Sequence, residues 1–562
     1  MKKIYCLLSL IPAITMFILT PITTQAQFSG GDGTENNPYI ITTAEQLAQL
    51  ASYVNTDNSS YNDKHYKLGN DLNLSGYQTG EGWIPIGSSY NFKGIFDGNN
   101  KKIIGLKINN TTLENVGLFG YLRTGTIKNL GIVETNIISS RAAGSNTGGV
   151  VGCNYDGNIS NCYSTGSISS SSSIAYIGGV VGSNDNGNVS NCYSTSSISS
   201  SASSVSSIGG VAGYNNGNIS NCYSTGSVSS FSSSSISSHY VGGVAGSNYG
   251  SISNCYSISL IASYYTYTNF LAGGIVSNSH NGIISSCVAL NPSINIASSL
   301  AKLTNYRRIG VDLLTTTTFI NNIAYKYMLN PEGNTTWNNI GANQTDGEDI
   351  TAQSINADGT LGGRFTSANG WTIQNGKLPG LFGNTVDIPA HLKTPNIITE
   401  TLFDGKVGTT YSHSLIADGI TPITWTLSNG TLPIGLTLST NGIISGTPTV
   451  AGIFNFTVKA TNNSGNDTKA LNILIEDGVG ILESELSKIT LYPNPAQTRL
   501  TVKRLESSKI TVAIYNNLGT MVKTFETISD EINVDVSNFS SGLYFIQLFN
   551  GKSSTIKNFV KE

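Results

Sequence analysis

The chain has 562 residues, only 11% of them charged, with 62 glycines and a formal net charge of -3 at pH 7. That length allows several domains, and low charge with abundant Gly, Ser, Thr and Asn points to an extended, loop-rich all-β protein. The slightly acidic balance lacks the basic footprint of a nucleic-acid binder, and no basic amphipathic stretch suggests a membrane surface.

Residues 1–26 read as a secretory signal peptide: Lys2 and Lys3, an apolar run from Ile4 to Ile22, and a small-residue site ending Gln25-Ala26. Cys6 lies inside the run and not at the cleavage site, which argues against a lipoprotein anchor. No other apolar run is long enough to span a bilayer. Residues 27–110 form an N-terminal cap and the lead-in coils. Thr42 or Thr43 can cap a short helix in which Leu47, Leu50, Ala51 and Val54 recur at helical spacing. Such a helix would shield a first strand that is otherwise a free sheet edge. Asp71 and Asp97 resemble a carboxylate pair, but their Asn-Asp-Leu and Phe-Asp-Gly-Asn contexts read as strand-end turns.

Residues 111–290 write one sentence repeatedly. GGVVGCNYDGNISNCYSTGSI begins at Gly148 and returns from Gly178, Gly209 and Gly242, with a weaker copy from Gly273 and a variant from Val116. The marker residues Cys162, Cys192, Cys222, Cys255 and Cys287 are 30, 30, 33 and 32 residues apart. A fixed period of that size means an array of one repeated unit. Short Val/Ile/Tyr runs broken by Gly and Asn, without a helical stripe, make the unit a coil of short strands, and stacked coils make a parallel β-helix. Two residues separate Ile159 from Cys162, so both can face inward only if Asn161, and likewise Asn191, Asn221 and Asn254, occupies a left-handed bend. Equivalent residues then stack about 4.8 Å apart.

Cys153 and the five marker cysteines are expected as a buried row of free thiols, since stacked Cβ atoms about 4.8 Å apart exceed normal disulfide spacing. If Cys points inward, the following Tyr163, Tyr193, Tyr223 and Tyr256 point outward. They would form an exposed aromatic ladder that stacks on sugar rings or a partner's side chains, or simply on itself. The serine runs 169–173, 199–201 and 232–235 read as flexible loops between coils.

Gly117 to Gly120 (GLFG) and the GGVVG versions after it resemble the GLUG motif of secreted bacterial surface proteins. The resemblance implies an adhesin-like or protease-associated repeat region of β-helical form without shared catalytic residues. The last copy departs from the pattern, with Ser277 in place of the closing Gly. Residues 291–392, marked by Arg307, Arg308, Trp337, Phe365 and Trp371, are expected to be irregular final coils and a closing cap.

Residues 396–476 alternate strands with Asn-Gly and Gly-Thr-Pro turns. Leu432-Pro433, Gly435-Leu436, the run Gly442 to Pro448 and Ala451-Gly452 resemble a bacterial Ig-like domain related in shape to cadherin modules. That kinship implies calcium, but Asp404, Asp418 and Asp467 are scattered and read as surface acids. In residues 485–562, Tyr492-Pro493-Asn494-Pro495, Leu518-Gly519 and Ser541-Gly542-Leu543-Tyr544 closely resemble a type A sorting domain of the type IX secretion system. The resemblance implies a small β-sandwich read by the secretion machinery and cleaved as the protein is joined to surface lipopolysaccharide.

Many β-helices degrade polysaccharides, a chemistry that needs carboxylates converging on one face. Between Gly144 and Pro292 the only carboxylates are Asp156 and Asp185, with neither Lys nor Arg. His65, His239, His280, His391 and His413 are dispersed, with no zinc-type pairing, and there is no Gly-x-Ser-x-Gly elbow. The sequence therefore points to a non-enzymatic exported surface protein acting in adhesion or in contact with an extracellular glycan or protein. The alternative is a polysaccharide lyase or glycoside hydrolase with its site in residues 60–140 or 291–392, where the acids and tryptophans lie.

Overall fold

Each repeat folds into one rung of a parallel β-helix. In a typical rung the strand Ile174–Gly178 meets a two-glycine turn, the strand Val181–Asp185 follows, and the short strands Asn188–Ser190, Tyr193–Ser194 and Ser197–Ser200 complete the circuit. Strands of successive rungs pair in parallel, giving two seven-stranded sheets and one long 22-stranded sheet. The structure is a computed structural model that describes residues 28–57, 59–232, 238–265, 269–298, 305–477, 488–505, 508–551 and 553–562. The signal-peptide segment lies outside them.

The glycines of the repeat follow from the closeness of its backbones. A Cβ at Gly178 would fall 2.0 Å from the Val181 carbonyl oxygen, and one at Gly182 would fall 2.4 Å from the Thr147 nitrogen of the preceding rung. No side chain fits there, so the turn is written with Gly at both places. Ser277, which replaces the closing Gly in the last copy, donates its hydroxyl to the Leu271 carbonyl at 2.7 Å.

Inside, identical positions stack into columns. Ile159, Val189, Ile219, Ile252 and Ile284 are paired in register and fully buried. Asn161, Asn191, Asn221 and Asn254 all have φ between 50° and 54°. This is the left-handed bend that turns both Ile159 and Cys162 inward. The six described cysteines are buried and free. The amide of Cys162 donates to the Cys192 sulfur, that of Cys192 to the Cys222 sulfur, and that of Cys222 to the Cys255 sulfur, each at 3.4 Å. Burial raises the Cys162, Cys222 and Cys287 thiols well above their ordinary value, keeping them protonated.

A second polar column is made of amides. Asn154 donates to Asn184 at 2.7 Å, Asn184 to Asn215 at 2.8 Å and Asn215 to Asn248 at 2.7 Å, with all four fully buried. Burying an amide is tolerable because each one is handed a partner by the next rung.

The serine runs depart from expectation in part. Ser169, Ser170, Ser199 and Ser200 are paired strand residues, with Ser170 and Ser200 turned into the core, whereas residues 171–173 and Ser201 lie in the connection to the next strand. The register of the neighbouring rungs holds the first residues of each run in the sheet and leaves the rest to turn the chain. Ser232 closes the strand Ser227–Ser232, and residues 233–235 lie outside the described residues.

Helix α1, Ala44–Asn55, begins at Thr43, whose hydroxyl accepts from the Gln46 amide, and buries Leu47, Leu50 and Val54 completely. At the other end, rung pairing continues through Ile323 and Ala324, opposite Val288 and Ala289. There the fully buried Arg308 guanidinium pairs with Asp349 at 2.7 Å, donates to the Gly347 carbonyl and lies 5.7 Å from the Trp337 ring.

This first unit reaches Ala324 and includes Met328–Asp349; the second comprises Tyr325–Tyr327 and Ile350–Glu562. Within the second unit, a four-stranded and a three-stranded sheet enclose Trp425, Ile444, Phe456, Val458 and Ile473. A further three-stranded and four-stranded pair encloses Leu500, Val512, Ile514, Ile546 and Phe559.

Candidate functional site

The left-handed bend at Asn161 sends Cys162 inward and Tyr163 outward, and the register repeats the choice at Tyr193, Tyr223 and Tyr256. The four rings lie flat on one another, with centroids 4.8, 4.7 and 5.0 Å apart and planes within 7° of parallel. The ring of Tyr163 covers Gly131, where a Cβ would come within 2.4 Å of it.

The row is not the open ladder that the sequence suggests. Tyr223 is 5% exposed and Tyr256 is fully buried, while Tyr163 and Tyr193 are half-buried. Residues paired at the rung spacing put ring on ring, so each face is covered by its neighbour and little remains for a ligand. The same burial raises the hydroxyls of all four, and that of Tyr193 is pushed up to about 12, chiefly by desolvation and then by Tyr163.

A second aromatic row crosses the same rungs on the two seven-stranded sheets. Tyr176 lies in Ile174–Gly178, Tyr214 in Ala212–Asn215 of the next rung, and Tyr249 and His280 just beyond Ala245–Asn248 and Val276–Ser279. Successive ring centroids are 5.4, 5.5 and 5.6 Å apart, but the planes are inclined by 35°, 36° and 71°. None of these pairs is stacked face on face. Tyr249 is 39% exposed, and Tyr176, Tyr214 and His280 are half-buried.

These tyrosines escape sequence reasoning because they occupy different places in the repeat. They meet because strands from the two sheets adjoin one rung apart, as the 2.7 Å contact between the Ser207 and Ser247 hydroxyls records. Beside the row, Asn216 donates to Asp185 at 2.9 Å and Asn146 to Asn115 at 2.7 Å.

The acids are engaged in structure. Asp71 accepts the Lys102 amide at 2.8 Å, and Asp97 accepts the Asn99 amide and the Asn129 side chain. The Asp156 amide donates to the Asp185 carbonyl at 3.0 Å, and Asp156 has φ of 54°. Among the described residues no group of three or more His, Cys, Asp or Glu side chains gathers, so Asp404, Asp418 and Asp467 are not brought together. Asp467 accepts the Ile397 and Thr468 amides, each at 2.8 Å. His239 is buried against the Ser230 hydroxyl at 2.7 Å, and desolvation lowers its pKa to about 4.

In the last domain the motif residues form one patch of structure. Asn494, within Tyr492-Pro493-Asn494-Pro495, accepts the Val560 amide at 2.9 Å and so is tied to the final strand Ser554–Lys561. Gly542 opens the strand Gly542–Phe549. Leu543 faces outward, and Tyr544 is buried, stacked on Phe559 and bonded to the Ser540 carbonyl at 2.9 Å.

Comparison with known proteins identifies three modules. The GLUG motif matches residues 143–169, 174–199, 204–229 and 237–259; the "Putative Ig domain" matches 394–475; and the secretion system C-terminal sorting domain matches 490–562. Among curated relatives, a "Putative Gly-rich membrane protein" of Evansella cellulosilytica is 36% identical over 23% of this chain and 14% of its own length. Beta-agarase A of Zobellia galactanivorans is 36% identical over 17% of each chain. The chain thus spans less than a fifth of either relative. Among solved structures, PorZ, a surface component of the type IX secretion system of Porphyromonas gingivalis, shares 17% identity over 24% of this chain and 16% of that one, with a TM-score of 0.14. No helix among the described residues is long and apolar enough to cross a membrane. In chain order, then, the protein carries GLUG repeats on a β-helix, an Ig-like domain and a type IX sorting domain, and it is an exported surface protein.

Proposed function

We propose that the β-helix is a non-enzymatic adhesive element, held at the cell surface after the sorting domain has been read by the type IX machinery and the protein joined to surface lipopolysaccharide. The observation that carries this reading is a surface drawn out along one axis, on which exposed side chains such as Asn158, Asn188 and Asn218 recur in successive rungs. A solenoid presents the same chemistry rung after rung, which suits weak contacts summed over a long ligand. The Gly-rich membrane-protein relative supports the same reading.

A second reading follows from the agarase relative: a carbohydrate-active enzyme with its site in the coils before or after the repeats. Beads coated with the exported protein separate the two. The adhesive reading expects them to attach to polysaccharide-coated or protein-coated surfaces without releasing reducing ends or unsaturated sugars. Failure to attach to any such surface, or release of sugars, overturns it.

A further inference from the structure

We infer that the row Tyr176, Tyr214, Tyr249 and His280, and not the Tyr163 row, is the track on which an extended neutral polysaccharide lies; this rests on the adhesive reading above. A sugar ring stacks its C–H face on the face of an aromatic ring, so a binding aromatic must keep a face open to water. The Tyr163 row fails that requirement because its planes are nearly parallel at 4.7 to 5.0 Å. The Tyr176 row is placed to meet it at Tyr249, which is 39% exposed, and its planes are inclined at 5.4 to 5.6 Å and not stacked, with Tyr176 and Tyr214 half-buried beside it.

The row climbs one ring per rung. What fits a surface repeating along one line is a ligand that repeats too, and the steps are near the advance of one pyranose unit in an extended chain. Asn216 beside the rings, which donates its amide to Asp185, offers its side-chain oxygen to a sugar hydroxyl. Charge selects among polymers: between Arg141 and Lys302 there is no Lys or Arg, and Asp185 adjoins the row. Arg123 lies against Tyr155 beyond the Asp185 end of the row, so a uronic-acid polymer or a nucleic acid laid along the rings would meet no Lys or Arg from their own rungs.

The test is affinity electrophoresis of the full exported chain in gels containing laminarin, xyloglucan or soluble agarose, with alginate as the anionic control. Retardation is expected in at least one neutral gel and not in alginate. Substituting Tyr176→Ala, Tyr214→Ala and Tyr249→Ala should each weaken retention about twofold to tenfold. Tyr163→Ser should leave retention unchanged, with limited proteolysis confirming that every variant is folded.

Retention lost in Tyr163→Ser but kept in the triple variant overturns the inference and leaves the adhesive reading standing. No retardation of the parent in any neutral gel, or retardation in alginate alone, also overturns it, and the bead assay then judges the adhesive reading by itself. Concentration-dependent self-association that the triple variant abolishes assigns the row to a second copy of the chain and overturns the inference as well.

Discussion

The two tyrosine rows cross the same rungs, yet one runs from half-buried Tyr163 to fully buried Tyr256, whereas the other runs from half-buried Tyr176 to exposed Tyr249. Tyr163, Tyr193, Tyr223 and Tyr256 occupy equivalent positions and stack with planes within 7° of parallel. Tyr176, Tyr214 and Tyr249 occupy non-equivalent positions and meet at 35° and 36°. Strict repetition therefore satisfies itself: a side chain copied at the rung spacing finds its own copy before it finds a ligand. Among the aromatic residues of the two rows, the exposed ring, Tyr249, stands where the repeat is broken.

The largest effect is expected one residue away from the sheltered row. The Cys222 sulfur lies 3.1 Å from the Ser220 carbonyl oxygen and 3.8 Å from that of Val189, and both are acceptors. Cys222→Asp places a carboxylate, which has only lone pairs to offer, against those oxygens with no cation in reach. The expected cost is several kcal/mol, on the order of 3–5, enough to unfold the middle of the array and open it to protease. Resistance equal to the parent's would show that the cysteine column is not the interior.

Tyr223→Ser should come next. With the ring 5% exposed and stacked on both sides, its removal leaves a gap between Tyr193 and Tyr256, and about 3 kcal/mol of destabilisation is expected in urea melts. A loss below about 0.5 kcal/mol would mean that the row behaves as surface.

Alkali sharpens the comparison further. The Tyr193 hydroxyl is raised from 10.0 to about 12 in the folded chain. The fold therefore holds this proton more tightly than the unfolded chain does, so the stabilisation is complete below about pH 10 and is lost as pH rises toward 12. Urea midpoints measured at pH 9 and pH 11.5 should fall more in the parent than in Tyr193→Phe, and equal falls would count against a sheltered hydroxyl. Smallest of all, Tyr249→Ala should change stability by no more than about 0.5 kcal/mol, because the ring is 39% exposed and meets Tyr214 and His280 at an angle without stacking on either.

How much of this was legible depends on whether a residue's job lies within its own repeat. The left-handed bends at Asn161, Asn191, Asn221 and Asn254 followed from the two-residue gap between Ile159 and Cys162, since no regular strand turns both inward. The free, buried cysteine row followed from rung spacing against disulfide geometry, and the Thr43 cap from local chemistry. Exposure was not legible. Whether Tyr256 meets water depends on what lies above and beside it, and spacing alone cannot supply that. The Tyr176 row was hidden for a related reason: its members are 38 and 35 residues apart, and Tyr176 meets Tyr214 through the offset between two sheets while Tyr214 meets Tyr249 diagonally across adjacent rungs of one sheet. The serine runs were half legible: residues 171–173 and Ser201 do leave the strands as their composition suggested, whereas register with the neighbouring rungs keeps Ser169, Ser170, Ser199 and Ser200 paired.

The amide column has a consequence for how such a chain can change over generations. Across rungs, each buried Asn donates to the Asn of the next rung and each cysteine sulfur accepts the cysteine amide of the preceding one. A whole unit of about 30 residues inserted or lost between two rungs leaves every remaining rung with the neighbours it had, and alters the height of the array by about 4.8 Å. Near-identical copies are also what unequal recombination acts on. Copy number, a quantity that no single residue encodes, can therefore be varied step by step with the fold intact at every step, and with it the distance the array extends.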